Sequence, residues 1–189
     1  YNPDENSVRE EFIELHNPTD AAVDVSQWEL SGAVNFTFPL GTVIPARQFL
    51  VVAQEPAVVQ SRYGVASLGP WSGGLASEGE QITLEDANGQ TIDEVDYNSE
   101  FPWPVSADGV GASAALVHPQ LDNNLGSSWR SELPPTPSAT NGVYALNAAP
   151  NIRQVKHTPQ SPTAASNIVI TAKVTDPQGV AAVTLQYQV

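Results

Sequence analysis

The chain has 189 residues, of which 41% are hydrophobic and 15% charged: enough apolar material for a packed domain, and too little charge for a disordered acidic tail. Its formal net charge is −14, unevenly placed: residues 1–150 carry 20 acids against four bases, and residues 151–189 one acid against three bases. The acidic first part disfavours nucleic acid as a partner, the lack of cysteine excludes disulfides and thiolate chemistry, and no apolar run approaches the roughly 18 residues of a membrane-spanning helix. With no methionine in the chain, Tyr1 is not expected to be a translational start.

Strand signals come first and persist. In "EFIELHN", Ile13 and Leu15 alternate with Glu14 and His16. That period of two predicts a strand with its apolar pair toward a core and Glu14 and His16 toward water. "NPTD" supplies turn chemistry: Pro18 presets its backbone, and Asn17 and Asp20 can bond nearby main chain. "VSQWELSG" predicts a strand with Trp28 and Leu30 inward, ended by Gly32, and "NFTFP" one with Phe36 and Phe38 inward. "FLVVA", Phe49 to Ala53, is a strongly apolar strand. "EPAVVQSRYG" is the one stretch that predicts a helix, about two turns long, with Gly64 as its stop. "EQITLEDANGQTIDEVDY" predicts a hairpin: Ile82 and Leu84 lead to Asn88-Gly89, and Ile92 and Val95 return. The Asn-Gly pair points to a type I′ turn. "SAALVHP" is a further short strand.

Residues 133–150, rich in proline and small side chains, read as a closing segment that becomes a linker. Beyond it, "NIRQVKH", "NIVITAKVTDPQGV" and "AAVTLQYQV" predict the first three strands of another sandwich. A whole sandwich of this kind takes about 100 residues. These 39 residues are therefore expected to leave an inner face and a strand edge exposed. The expected organisation is a domain at 1–144, a linker at 145–151 and the N-terminal fragment of a second domain at 152–189.

The chemistry-bearing motifs are missing: there is no Gly-x-Ser-x-Gly elbow, no His-Glu-x-x-His pair and no phosphate-binding glycine loop. His16, His118 and His157 each stand alone at a strand end and read as surface or rim residues. Glu94 and Asp96 share one face of a strand, a solvated face rather than an acid/base pair across a cleft. No catalytic or cofactor-binding residue is therefore assigned. Calcium is the secondary possibility, because it takes oxygens from Asp, Asn and main chain on loops. The candidates are Asp108 in "SADGVG" and Asp122, Asn123 and Asn124 in "QLDNN". Trp71 in "GPWSGG" and Trp103 in "FPWPVS" are either partner contacts or plugs closing the ends of a sandwich, with plugs favoured.

Taken in order, "EFIELHNPTDAAVDVSQWELSG", "FTFPLGTVIPARQFLVVAQ", "GGLASEGEQITLEDANGQTIDEVDY", "WPVSADGVGASAALVHPQLDNN", "SSW" and "PPTPSATNG" resemble a bacterial lamin-tail domain over roughly residues 1–144. The resemblance implies an all-β, immunoglobulin-like sandwich. It also implies a setting in large secreted or cell-surface bacterial proteins, beside other β-domains, nucleases, phosphoesterases or CotH-like kinase domains. Residues 149–189 resemble the immunoglobulin- or fibronectin-III-like sandwich that follows such a domain in CotH-kinase-containing surface proteins. Lamin tails bind DNA through basic surfaces. This acidic chain carries Glu14 where lamins tend to be basic, so DNA binding is not carried over.

The expected function is a non-catalytic structural, adhesion or scaffolding module of a secreted or cell-surface bacterial protein. Its partner would be a protein or a cell-surface polymer, without nucleic acid or membrane insertion. The alternatives are an accessory module of an extracellular enzyme, and a self-assembling protein that adds strands through the 152–189 edge.

Overall fold

The computed structural model describes residues 9–107, 109 and 111–186. The chain divides into two units, residues 1–144 and 145–189.

In the first unit the strands run β1 (Phe12–His16), β2 (Val23–Asp24), β3 (Glu29–Gly32), β4 (Val34–Thr37), β5 (Val43–Ile44) and β6 (Phe49–Ala53). Helix α1 (Pro56–Tyr63) follows, then β7 (Ser72–Gly73), β8 (Gly79–Glu85), β9 (Thr91–Asn98), β10 (Ser113–Leu116) and β11 (Trp129–Glu132). A five-stranded sheet has the order β7-β4-β3-β8-β9, and β1-β6, β2-β5 and β10-β11 form antiparallel pairs. This is an all-β, immunoglobulin-like sandwich with one short helix.

The core lies between the β1-β6 pair and the five-stranded sheet. Ile13, Leu15, Leu50 and Val52 meet Leu30, Val34, Phe38, Ile82 and Leu84 there. Phe38, Val34 and Val52 have no exposure at all. Phe36 and Phe38 pack edge to face, with centroids 5.1 Å apart. Trp71 belongs to this core at 6% exposure.

The opposite face of β1-β6 is covered as well. Phe12, Val51 and Ala53 form a second cluster with Val59 of α1, flanked by Tyr63 and Val65. Burial on both faces is why β6 reads as an unbroken apolar run rather than an alternation. It also corrects the expectation for β1: Ile13 and Leu15 face the core, but Glu14 and His16 do not face open water. Glu14 is half-buried beneath residues from the end of the unit, and the His16 ring stacks on Phe49 at 4.6 Å.

The turn after β1 is built on one side chain. The buried Asn17 amide donates to the carbonyls of Ala21 (2.8 Å), Ile44 (3.0 Å) and Pro45 (3.1 Å). Its oxygen accepts from the Thr19 N–H (3.0 Å) and the Thr19 hydroxyl (2.7 Å). Asn17 thus closes its own turn and ties it to the β5 end.

Helix α1 begins at Pro56 and stops where Gly64 enters the left-handed region at φ +70°, its N–H reaching the Gln60 carbonyl. Arg62 in its last turn pairs at 2.9 Å with Glu10, whose side chain is wholly buried. At the end of β3, Gly32 has φ +92° and lies against β8, where an added Cβ would sit 2.3 Å from the Gln81 carbonyl oxygen.

The β8-β9 hairpin forms with a different turn from the one expected. Only Gly89 has positive φ, at +77°, and its N–H bonds to the Asp86 carbonyl at 2.9 Å. The ladder shifts between Leu84 and Glu85, which matches a turn closed by a left-handed glycine and a bulge instead of a type I′ turn. The physical reason is Asp86: its Oδ1 accepts from the N–H groups of Asn88 (2.8 Å) and Gln90 (2.9 Å) and sets the turn. After the bulge Val95 stands opposite Ile82 and Asp93 opposite Leu84, which leaves Ile92 exposed.

In the second unit β12 (Asn151–Thr158) pairs antiparallel with β13 (Val169–Thr175). The third expected strand is not formed at 181–186, and its last three residues lie outside the described ones. Ile152, Val155, Val169 and Ile170 are exposed on this two-stranded ribbon.

Three alanine variants test the β1 region by urea denaturation. Asn17→Ala should cost about 2–3 kcal/mol, because it strands buried carbonyls. Leu15→Ala, half-buried, should cost about 2 kcal/mol. His16→Ala should cost less than about 1 kcal/mol. A larger loss at His16 than at Asn17 would contradict the packing described.

Candidate functional site

Two carboxylates from distant strands converge on the closing segment. Glu14 projects from β1 and accepts a hydrogen bond from the Ser138 N–H. Glu132, at the end of β11 and only 7% exposed, accepts from the Gly142 N–H and, at 3.0 Å, from the Thr136 hydroxyl. The segment itself contains no acid or base between Leu133 and Tyr144. Ser138 is held at φ +65°, and the Asn141 amide donates to the Leu116 carbonyl at 3.0 Å. Proline-rich chain cannot pair as a strand, so its few N–H groups are met by carboxylates instead.

Burial pushes the Glu14 carboxyl up to about 7, against the opposing effect of the Ser138 N–H, and the nearby Glu132 charge pushes it further up. His16, on the same strand face, is shifted down by burial and then by Arg47. Glu11 is also raised by burial, although its carboxylate accepts from the Leu75 N–H at 3.1 Å.

Beside this lies the cavity of the sandwich, about 1010 Å³, between the layers. Ile13, Leu15, Ile82, Val95 and Leu116 line it, with Glu14, Glu132, Thr136, Pro137 and Tyr144 on the side of the closing segment. His118 is 7% exposed and stacks on Tyr144 at 5.6 Å. Its Nδ1 accepts from the Gln120 N–H at 3.2 Å, which makes it a buried structural residue and not the rim histidine expected.

The loop proposed for calcium is committed to holding the fold. The Asn123 carbonyl accepts from the Trp129 indole N–H at 2.7 Å, and the Asn123 amide donates to Asp93 at 2.8 Å. Asn124 Oδ1 accepts from the Asp96 N–H at 2.7 Å. Asp122 Oδ1 accepts from the Asn124 N–H at 3.2 Å, and its carbonyl accepts from the Ser128 hydroxyl at 2.7 Å. Oxygens already accepting from N–H and O–H donors are poorly placed to converge on a cation. Among the described residues no group of three or more His, Asp or Glu is placed to hold a metal, and Asp108 lies outside them.

Trp103 is half-buried and packs against Trp129, centroids 6.0 Å apart. Gly126 permits this approach, since a Cβ there would fall 2.7 Å from the Trp103 N and 2.8 Å from its ring. The indole pair closes the loop against the sandwich. Sequence reasoning missed β11, the Glu14–Glu132 convergence and this pairing. The one local signal was the glycine before "SSW", a small residue next to a large ring.

Glu132→Ala should destabilise the first unit by about 3 kcal/mol in urea, since two donors lose a charged acceptor, while Glu132→Gln should cost less. Millimolar calcium should leave the melting temperature nearly unchanged. A rise of several degrees would restore the metal reading.

The Lamin Tail Domain profile matches residues 1–99, from before β1 to just past β9. No curated protein matches the chain. The match covers the five-stranded sheet, the β1-β6 pair and helix α1, while residues 100–144 complete the same unit. The chain belongs to the lamin tail domain family.

Proposed function

We propose that this chain is a non-catalytic structural and adhesion module of a large secreted or cell-surface bacterial protein. The single observation that carries this reading is the use made of its polar groups. The carboxylates and amides gathered on the first unit are spent on main-chain donors and loop anchoring. The family match supports the same reading. What remains for function is surface: an acidic sandwich suited to a protein or a cell-surface polymer with basic groups, and unsuited to nucleic acid.

One observation favours a second reading. The β12-β13 ribbon exposes Ile152, Val155, Val169 and Ile170 and has unpaired edges, the features used in strand addition. An accessory role beside a CotH-like kinase or a nuclease, with a fibronectin-III-like domain completing residues 152–189, rests on the sequence resemblance alone.

Sedimentation velocity over about two decades of concentration separates the readings. The spacer and adhesion reading expects a monomer throughout, and a concentration-dependent rise in mass, abolished by Val169→Lys, would replace it with self-assembly. Co-sedimentation with insoluble cell-wall polymer, against double-stranded DNA at the same ionic strength, should show retention by the polymer only. Retention by DNA would overturn the assignment.

A further inference from the structure

We propose that residues 133–144 form a pH-sensitive strap, closed over Glu14 and Glu132 at acid pH and loosened as pH rises through neutrality. The geometry sets this up. Glu14 and Glu132, 118 positions apart in sequence, both line the cavity, and each holds a main-chain N–H of the same short segment. No strand ladder joins the segment to the sheets. Its remaining ties are the Thr136–Glu132 and Asn141–Leu116 bonds and the packing of Tyr144 on His118.

The surrounding charges do not relieve the pair. Val51 of β6, opposite Glu14, is apolar. Arg47 is engaged with Asp20 at 2.8 Å, and Arg62 with Glu10 at 2.9 Å. His16, on the same face, is shifted down by burial and then by Arg47. His118 donates no bond to either carboxylate, its Nδ1 being turned to the Gln120 N–H. The strap brings no charge of its own.

The sign follows from linkage. Glu14 in the closed state titrates near 7, and a solvated glutamate near 4.5. The closed state is therefore favoured in full below about pH 4.5, and the advantage is lost as pH rises to about 7. Opening solvates both carboxylates. This is a device within the fold and does not depend on the partner proposed above.

Hydrogen exchange by NMR on the whole chain tests it. Protection of the Ser138 and Gly142 amides, corrected for intrinsic exchange, should fall by up to about a hundredfold between pH 5 and pH 8. Amides of the β8-β9 ladder should fall far less. In Glu14→Gln the strap amides should keep the same protection across that range. Glu132→Gln, which keeps an acceptor oxygen, should reduce the fall and serves if Glu14→Gln does not fold. Strap protection that is independent of pH, or that falls in parallel with the ladder, or that falls equally in Glu14→Gln, overturns the proposal.

Discussion

The antiparallel pairing of β1 with β6 leaves neither strand a face for water, and the other parts of the first unit are arranged to cover one side or the other. On the inner side the five-stranded sheet supplies Leu30, Phe38 and Leu84 against Ile13 and Leu15. On the outer side α1 covers Phe12 and Val51, and the closing segment reaches Glu14. Burying an apolar face is favourable by itself. Burying a carboxylate is not, and it requires donors that the strand cannot supply. Glu14 therefore makes the closing segment necessary to β1, as much as β1 makes a seat for the segment.

The acidic surface is partly a solution to the problem of edges. β9 ends the five-stranded sheet, and its outward N–H groups would otherwise offer a template for another chain. Asn124 takes the Asp96 N–H, Asp93 takes the Glu94 N–H with its own side chain, and Glu94 and Asp96 add like charges along the strand. The carboxylates that look at first like paired catalytic acids are thus better understood as edge protection. The β12-β13 ribbon carries Arg153, Lys156 and Lys173 and a register shift after Arg153, while Ile152, Val155, Val169 and Ile170 stay exposed on it.

What was legible in the sequence was whatever depends on near neighbours. The alternation of Ile13 and Leu15, the Asn17 turn, the helix stopped by Gly64 and the existence of the β8-β9 hairpin all rest on residues a few positions apart. The hairpin turn was misread because Asp86, two residues before Asn88, competes for the same N–H groups. The burial of Glu14 was not legible, since its cover lies more than 120 residues away and carries no charge that advertises it. Strand β11, "WRSE", has neither apolar alternation nor β-branched residues, and its pairing with β10 is imposed by packing. Asn123 and Asn124 were not legible as loop anchors, because their partners Trp129 and Asp96 are placed by the fold.

The contact of Ser138 with Glu14 joins the first strand of the unit to its last segment, so the chain enters and leaves this sandwich at neighbouring places. A module strung into a longer protein receives tension through those two points. Load reaches β1 and the carboxylate-held segment together, and the Ser138–Glu14 bond ties those two loaded ends to each other.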